Sequence, residues 1–445
     1  MGVQVHASSS RRARRAAAAA VALALLLSGC TAEAAPAFTP KAQTEADLPA
    51  DVQGQLQGVV EKAMAATGSS GAIVGVWVPW SGTWVAGLGT SDGSTPVTTD
   101  MAFRIGDVTR LMTCDVLYAL ADREIVSLDD PVTKYVNGVA DLTSVSLLDL
   151  CNGAAGLGSS EPTLRPGWLT NPNRVWSAKE EASYGLERAR VAPGTEYRDS
   201  DAGYLILGEA LERATDKSAA ELIRTYVTAP LGLDDTQLPS RAPAAPSTGP
   251  VLNGTYLPPG PEGAGLDCTA PIDVTVSSSS IGFTDSGVVS TIDDLGLYLQ
   301  AEAAQALRIK DKPARFGSPL PAAADAPSWY QATGGAFLLG TMIGQHGWAP
   351  GYLTAGYSDP ETGLTVAVVL NNANDMNGLV DLLARQLAAI ASKAPAADGA
   401  TAPEFALPFT AEQYDELITA NAVCPLPQPE AEVPADEGEP ASDEG

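Results

Sequence analysis

The chain has 445 residues, a formal net charge of −27 and a hydrophobic fraction of 45%. A chain this acidic repels phosphate backbones and anionic lipid headgroups, which argues against nucleic acid or a charged membrane surface as a partner. Part of the charge lies in residues 428–445, whose low apolar content predicts a disordered acidic tail.

The N-terminal residues 1–29 are predicted to be a signal peptide. A group of arginines precedes an apolar run from Ala16 to Leu27, which is too short to span a bilayer and typical of a signal sequence. The run ends in Leu-Ser-Gly-Cys, which resembles the lipobox of bacterial lipoproteins, in which Cys30 would carry the lipid. An ordinary signal peptide cleaved nearby is the alternative. The sequence therefore predicts an extracytoplasmic protein held to the bacterial cell membrane through a lipid anchor alone, with residues 30–50 as a flexible tether.

The hydrophobic periodicity changes twice along the rest of the chain. Helical spacing predicts helices over 49–67, 108–124, 145–151, 203–216, 219–227 and 378–392. Strand patterns occur at 72–79, 82–89, 335–343, 352–359 and 364–372. Strands near both chain ends predict one sheet assembled from both ends, with a helical region inserted between them. The segment 239–266 is rich in Pro and Gly and is longer than an inert connection needs.

Six segments in the same order resemble motifs of the serine β-lactamase and penicillin-binding protein family. The most similar branch contains class C β-lactamases, D-alanyl-D-alanine carboxypeptidases and related esterases. The segments are Phe103–Thr113, Val145–Gly158, Pro193–Thr215, Ala229–Leu238, Ser286–Gln300 and Gly344–Tyr352. The resemblance implies an α+β fold of the β-lactamase/transpeptidase-like type, with a central antiparallel sheet flanked by helices plus an all-helical lobe. It implies that this domain covers residues 51–398 and that residues 399–427 form a C-terminal extension.

The catalytic side chains of the resembled family are replaced. That family uses a serine at a helix start, a lysine three residues later, a tyrosine from a second motif and a Lys or His on a late strand. The corresponding positions here are Asp107, Arg110, the triplet Asp199-Ser200-Asp201, and Gln345 followed by His346. Arg110 keeps its proton at any working pH and cannot act as a base. Because loss of nucleophile or base alone costs ~10⁶ in turnover, the sequence predicts that the inherited acyl-enzyme mechanism is lost.

The replaced residues allow three interpretations. In the first, Asp107, Arg110, Asp199 and Asp201 form a polar network that fills a retired active site, with Ser200, Gly347 and Trp348 beside it in the cleft. In the second, Asp107, Asp199 and Asp201 bind Ca²⁺ or an amine, although Arg110 competes for the same carboxylates. In the third, Asp107 is a carboxylate nucleophile assisted by His346. His346 is the one histidine left once the signal peptide, which contains His6, is removed.

Four cysteines remain besides Cys30: Cys114, Cys151, Cys268 and Cys424. An even number in an exported chain suggests two disulfides with three possible connectivities, and buried free thiols are the alternative. The family resemblance implies that Cys114 and Cys151 lie on two helices that pack together. We therefore expect the pairs Cys114–Cys151 and Cys268–Cys424, of which the second would attach the C-terminal extension.

The sequence as a whole predicts a pseudoenzyme: a catalytically inactive lipoprotein of this hydrolase family that needs no cofactor or metal. It is expected to bind a peptidoglycan-derived ligand or an envelope protein at the cell envelope. The alternative is a peptidase, β-lactamase or esterase that acts with unorthodox residues. A structural surface lipoprotein is the third possibility.

Overall fold

In this computed structural model, the centre of the fold is an antiparallel sheet assembled from strands near both ends of the chain. The structure describes residues 1–2, 38–139, 142–263, 265–309, 312, 314–374 and 378–427. Apart from residues 1–2, the predicted signal peptide lies outside the described residues, as do the lipidation site Cys30 and the tail 428–445.

The described strands are β1 (Gly71–Val78), β2 (Gly82–Gly89), β3 (Phe103–Arg104), β4 (Pro243–Ala244), β5 (Thr255–Tyr256), β6 (Ile272–Asp273), β7 (Ser277–Ser278), β8 (Val289–Ser290), β9 (Leu320–Pro321), β10 (Tyr330–Thr333), β11 (Ala336–Leu339), β12 (Met342–Ala349), β13 (Tyr352–Ser358) and β14 (Thr365–Leu370). The main sheet has the order β2-β1-β14-β13-β12-β11-β10-β9. Short pairs β3-β8, β4-β7 and β5-β6 lie apart from it. The early strand β1 joins the late strand β14, as the strand patterns at both chain ends predict.

The described α-helices are α1 (Ala50–Thr67), α2 (Thr109–Asp122), α3 (Leu147–Cys151), α4 (Glu161–Thr170), α5 (Ala178–Leu186), α6 (Asp201–Thr215), α7 (Ala219–Ile223), α8 (Ala229–Leu231), α9 (Phe283–Ser286), α10 (Ile292–Ala303), α11 (Leu379–Ala391) and α12 (Ala411–Ala420). Short 3₁₀ turns cover Gly106–Val108, Val132–Lys134 and Pro261–Gly263, and a π-helical turn covers Arg224–Thr228. Each helix among the described residues is too short or too polar to cross a membrane.

Helices cover both faces of the sheet, which is why its central strands are almost continuously apolar. In β14, Val366 and Val368 belong to the core beneath α1 and α11. The alternate residues Ala367 and Val369 belong to the core shared with α2 and α10. Strand side chains alternate between faces, so each layer of helices contacts its own set of residues. The predicted α+β class, with a sheet flanked by helices, is confirmed.

One predicted strand is instead a hairpin. The pattern at 335–343 reads as a single strand, but Gly340 adopts a φ of 66° and turns the chain between β11 and β12. A positive φ is easy for glycine and costly for other residues, so this glycine allows the reversal. The sheet therefore gains a strand at this point, and β10 and β9 extend it further.

Both predicted disulfides are present, Cys114–Cys151 and Cys268–Cys424. The second joins the C-terminal extension to the segment that follows residue 266. The extension contains α12, whose Ile418 is fully buried. Within the predicted tether, the Leu48 amide donates to the Thr83 carbonyl at 3.1 Å, so this part of it lies against the β1–β2 hairpin.

Candidate active-site cleft

Asp107 is held at the junction between β3 and α2, tightly against the sheet. The 3₁₀ turn begins at Gly106, which has a φ of 55°. A Cβ atom at Gly347 on β12 would lie 2.2 Å from the Asp107 carboxyl carbon. Such a distance is far below van der Waals contact, so Asp107 occupies its position only because residue 347 is glycine.

Arg110 lies at the centre of a buried ionic network. Its Nη2 is 3.2 Å from Asp107 Oδ2, and its Nη1 is 2.7 Å from Asp199 Oδ1. Its Nε donates to Asp285 Oδ1 at 2.7 Å. The guanidinium also lies 4.9 Å from the centre of the Tyr204 ring. All three nitrogens of the guanidinium are therefore paired with carboxylates.

Asp201 was predicted in this network, but the carboxylates that pair with Arg110 are Asp107, Asp199 and Asp285. Burial raises the pKa of Asp201, and the nearby charge of Arg110 is among the effects that oppose this rise. The Oδ1 of Asp201 accepts hydrogen bonds from the backbone amides of Ser160 at 2.6 Å and Ala202 at 2.7 Å. Two amides at fixed positions satisfy this oxygen without an ion pair. The third carboxylate of the network is Asp285 on α9, which the sequence patterns did not indicate.

The predicted cation site is also not formed. The guanidinium of Arg110 lies between Asp107 and Asp199, and Asp201 is bonded elsewhere. In the part of the chain that the structure describes, no group of three or more His, Cys, Asp or Glu residues is arranged to hold a metal ion. The guanidinium of Arg110 occupies the space between Asp107 and Asp199 that a bound metal ion would need.

Burial governs the protonation of the network. Burial raises the pKa of Asp107 well above its usual value, and the charge of Arg110 opposes that rise without cancelling it. Burial likewise raises the pKa of Asp285 to about 6, against the lowering effect of Arg110. A protonated carboxyl is a poor nucleophile, so the environment of Asp107 disfavours the interpretation that it attacks a substrate.

The residues at the former Lys/His motif lie on opposite faces of β12. Gln345 is buried and its Nε2 donates to the Gly335 carbonyl at 2.8 Å. The His346 side chain lies on the other face, where its Nδ1 is 2.7 Å from the Tyr357 hydroxyl and 3.3 Å from Asp381 Oδ1. Asp107 packs against Gly347, which lies on the same face of β12 as Gln345, and the carboxyl of Asp107 and the imidazole of His346 both border one cavity.

The two remaining cleft residues have separate roles. Ser200 caps α6 by accepting a hydrogen bond from the Gly203 amide, and its hydroxyl donates to the Gly158 carbonyl at 2.7 Å. Trp348 is nearly buried, and its Nε1 donates to the Ala373 carbonyl at 2.8 Å. Ser200 therefore fixes the helix start beside Asp199, whereas Trp348 forms part of a cavity wall.

A cavity of about 660 Å³ borders Asp107 and Asp199. Its walls are mainly apolar, and they include residues of α4, β12 and the long segment 239–266. The lining residues are Asp107, Glu161, Pro162, Arg165, Pro166, Leu169, Thr170, Asp199, Tyr256, Leu257, Pro259, Leu266, His346, Gly347, Trp348, Leu353, Asn374, Gly378 and Val380. The volume lies within the range typical of small-molecule sites.

Comparison with known proteins agrees with the motif resemblance. A family model described as Beta-lactamase matches residues 56–390. The D-alanyl-D-alanine-carboxypeptidase/endopeptidase AmpH of Escherichia coli (strain K12) is 31% identical over 144 residues, which cover 31% of this chain and 37% of AmpH. A D-aminopeptidase of Brucella anthropi is 28% identical over 162 residues, covering 34% of this chain and 29% of that protein. These matches thus span well under half of the length of either curated relative.

Solved structures share the fold over most of the chain. A D-stereospecific amidohydrolase from Streptomyces sp. superposes with a TM-score of 0.63 at 20% identity, covering 72% of this chain and 94% of that chain. A β-lactamase/D-alanine carboxypeptidase from Yersinia pestis superposes with a TM-score of 0.55 at 20% identity, covering 76% of this chain and 98% of that chain. The predicted β-lactamase/transpeptidase-like fold is confirmed.

Proposed function

Because this chain belongs to the beta-lactamase family, we propose that it is a non-catalytic member, which binds a ligand in the cavity beside Asp107 and does not hydrolyse it. The proposal is a functional one and goes beyond the shared fold, since one fold supports many activities. It has two parts, the loss of acyl transfer and the retention of a binding site.

The pairing of Arg110 is the observation that carries the first part. The family resemblance places Arg110 where a lysine would assist proton removal. Burial alone would lower the pKa of Arg110. The charges of Asp107, Asp199 and Asp285 outweigh this effect, so the pKa lies well above its usual value. A guanidinium held in this way cannot accept a proton, and Asp107 offers no hydroxyl for it to activate.

The cavity supports the second part. It is large enough for a ligand of the size of a dipeptide or a drug, and its apolar walls with a polar end are typical of binding sites. The curated relatives are named D-alanyl-D-alanine-carboxypeptidase/endopeptidase and D-aminopeptidase. We therefore propose a peptidoglycan-derived ligand, with an envelope protein as the alternative partner. The proposed location is the outer face of the cell membrane, through lipid on Cys30.

Labelling with a fluorescent penicillin tests the loss of catalysis. We expect no covalent adduct on the purified protein and no release of D-alanine from D-alanyl-D-alanine peptides. An active D-alanyl-D-alanine carboxypeptidase serves as the positive control. An adduct or turnover that disappears in the Asp107→Asn variant would show that an unorthodox hydrolase is the correct description.

A separate titration tests ligand binding. Soluble muropeptides prepared from bacterial cell walls are titrated into the protein by calorimetry. We expect saturable binding without a change in the mass of the muropeptides. Failure of the muropeptides to bind, together with absence of turnover, would favour an envelope protein or a purely structural role.

A further inference from the structure

The cavity beside Asp107 has an acidic end and an apolar body. Three carboxyl groups border it, with side-chain exposures of 62% for Asp199, 31% for Glu161 and 12% for Asp107. Asp199 is the most accessible of them, and it uses Oδ1 for its ion pair with Arg110. A ligand that enters the cavity therefore meets a largely exposed carboxylate at the polar end of the cavity.

The basic groups of the lining are already engaged with other parts of the protein. Nη1 of Arg165 is 3.2 Å from Glu161 Oε1, its Nη2 donates to the Ala373 carbonyl, and its guanidinium lies 4.8 Å from the centre of the Trp348 ring. The imidazole of His346 bonds to Tyr357 and stacks on Phe337. Arg110, behind Asp107, is surrounded by carboxylates. A ligand carboxylate would have to displace one of these partners and would approach Asp199.

A positively charged ligand group can enter without displacing any of these partners. An ammonium group placed between Asp199 and Glu161 meets two acceptors without breaking an ion pair. The walls beyond these residues are apolar, with Trp348, Leu169 and Leu353 among them. They provide a surface for a hydrocarbon or aromatic body, whose burial contributes affinity in proportion to its area.

We propose that the cavity selects an organic cation: a ligand whose ammonium group pairs with Asp199 and Glu161 while an apolar body packs on Trp348 and its neighbours. The proposal rests on the proposed function, since it names the ligand chemistry of the same site. If the ligand is a peptide, we expect its amino group, and not its terminal carboxylate, to lie at the end of the cavity beside Asp107.

Three probes with the same aromatic chain but different charge test this selection. They are 3-phenylpropylammonium, 3-phenylpropan-1-ol and 3-phenylpropanoate, each titrated at pH 7 by calorimetry or ligand-observed NMR. We expect the ammonium to bind about fivefold more tightly than the alcohol, a preference typical of one ion pair at a partly exposed carboxylate. The propanoate should bind most weakly. Equal binding of the three probes, tighter binding of the propanoate or no binding of the ammonium at millimolar concentration overturns the proposal.

Two variants assign the effect to the named carboxylates. Asp199→Asn should remove the preference for the ammonium over the alcohol. Glu161→Gln should weaken the binding of the ammonium and strengthen the binding of the propanoate, because the substitution releases Arg165 from its ion pair. Asp234→Asn, an exposed position outside the cavity lining, is the matched control and should leave all three affinities unchanged. Thermal melts of each variant verify the fold. An unchanged ammonium preference in both cavity variants would also overturn the proposal.

The outcome is separable from that of the proposed function. Covalent labelling by penicillin would contradict the proposal that the protein is non-catalytic, but it would not test which ligand charge the cavity prefers. Conversely, a cavity that prefers anions would leave the loss of catalysis intact.

Discussion

The substitution Arg110→Met removes the centre of the network while retaining a side chain of similar length. Asp199 is largely exposed and can return to water at little cost. Asp285 and Asp107, with side-chain exposures of 5% and 12%, would stay buried without a counterion. Breaking a buried ion pair by removal of one partner costs about 3–5 kcal/mol. We therefore expect Arg110→Met to lose stability in this range at pH 7.

The loss should depend on pH in a defined direction. Burial raises the pKa of Asp285 to about 6 even with Arg110 present, and removal of Arg110 raises it further. A carboxyl whose pKa is higher in the folded than in the unfolded state favours folding at low pH, and this contribution is lost as the pH rises through the folded-state pKa. The wild type already carries the cost of a pKa of about 6, so for Asp285 alone the extra cost in the variant is ~1.4 kcal/mol for each pH unit above that pKa and close to zero at pH 5. The variant should therefore be closest to the wild type in acid.

Urea unfolding at pH 5 and pH 7, followed by tryptophan fluorescence, measures both effects. Arg213→Met is the matched control, since the Arg213 side chain is 60% exposed and pairs with Glu209, one helical turn before it, at 2.8 Å. Exposed pairs of this kind contribute about 0.3–0.5 kcal/mol. A deficit below ~1 kcal/mol for Arg110→Met, or one that is equal at both pH values, would refute the reasoning, because the buried carboxylates would then not depend on Arg110.

Three further changes test other parts of the structure. Gly347→Ala places a methyl group 2.2 Å from the Asp107 carboxyl carbon and should cost about 1–3 kcal/mol in urea unfolding. Its control, Gly54→Ala on the exposed face of α1, should stabilise by up to ~1 kcal/mol. Replacement of both Cys268 and Cys424 by Ser opens a loop with a sequence separation of 156 residues and should lower the stability by about 2–5 kcal/mol. Addition of calcium or EDTA should leave the melting temperature unchanged, because the guanidinium of Arg110 occupies the space between Asp107 and Asp199; a calcium-dependent rise would restore the cation-site interpretation.

Local spacing and family motifs predicted the parts of the site that lie within one element. Asp107 and Arg110 are three residues apart at a helix start, so their side chains were expected to meet, and their charged atoms are 3.2 Å apart. The Asp107–Arg110 pair needed only the geometry of one helix start, and Cys114–Cys151 needed only two helices whose packing the motifs imply. The pair Cys268–Cys424 followed because these two cysteines remained.

The parts that were missed depend on contacts between distant segments. Asp285 is 175 residues from Arg110 along the chain, and nothing in the sequence around it indicates an ion pair. Asp201 was expected at the network because the triplet Asp199-Ser200-Asp201 stands where the resembled family has its second catalytic motif, which would face the cleft. Backbone amides of the preceding loop bind its carboxylate instead, and their position is set by tertiary structure.

The open cavity bears on the choice between a binding protein and a structural one. The cavity opens to solvent, and its walls are mainly apolar, as in small-molecule binding sites. Here the wall is held open by specific contacts. The Leu257 amide donates to Asn374 Oδ1 at 2.6 Å, and the Cys268–Cys424 disulfide anchors the chain just beyond it. The proposed binding function requires a cavity wall that is fixed in this way, whereas a purely structural role does not.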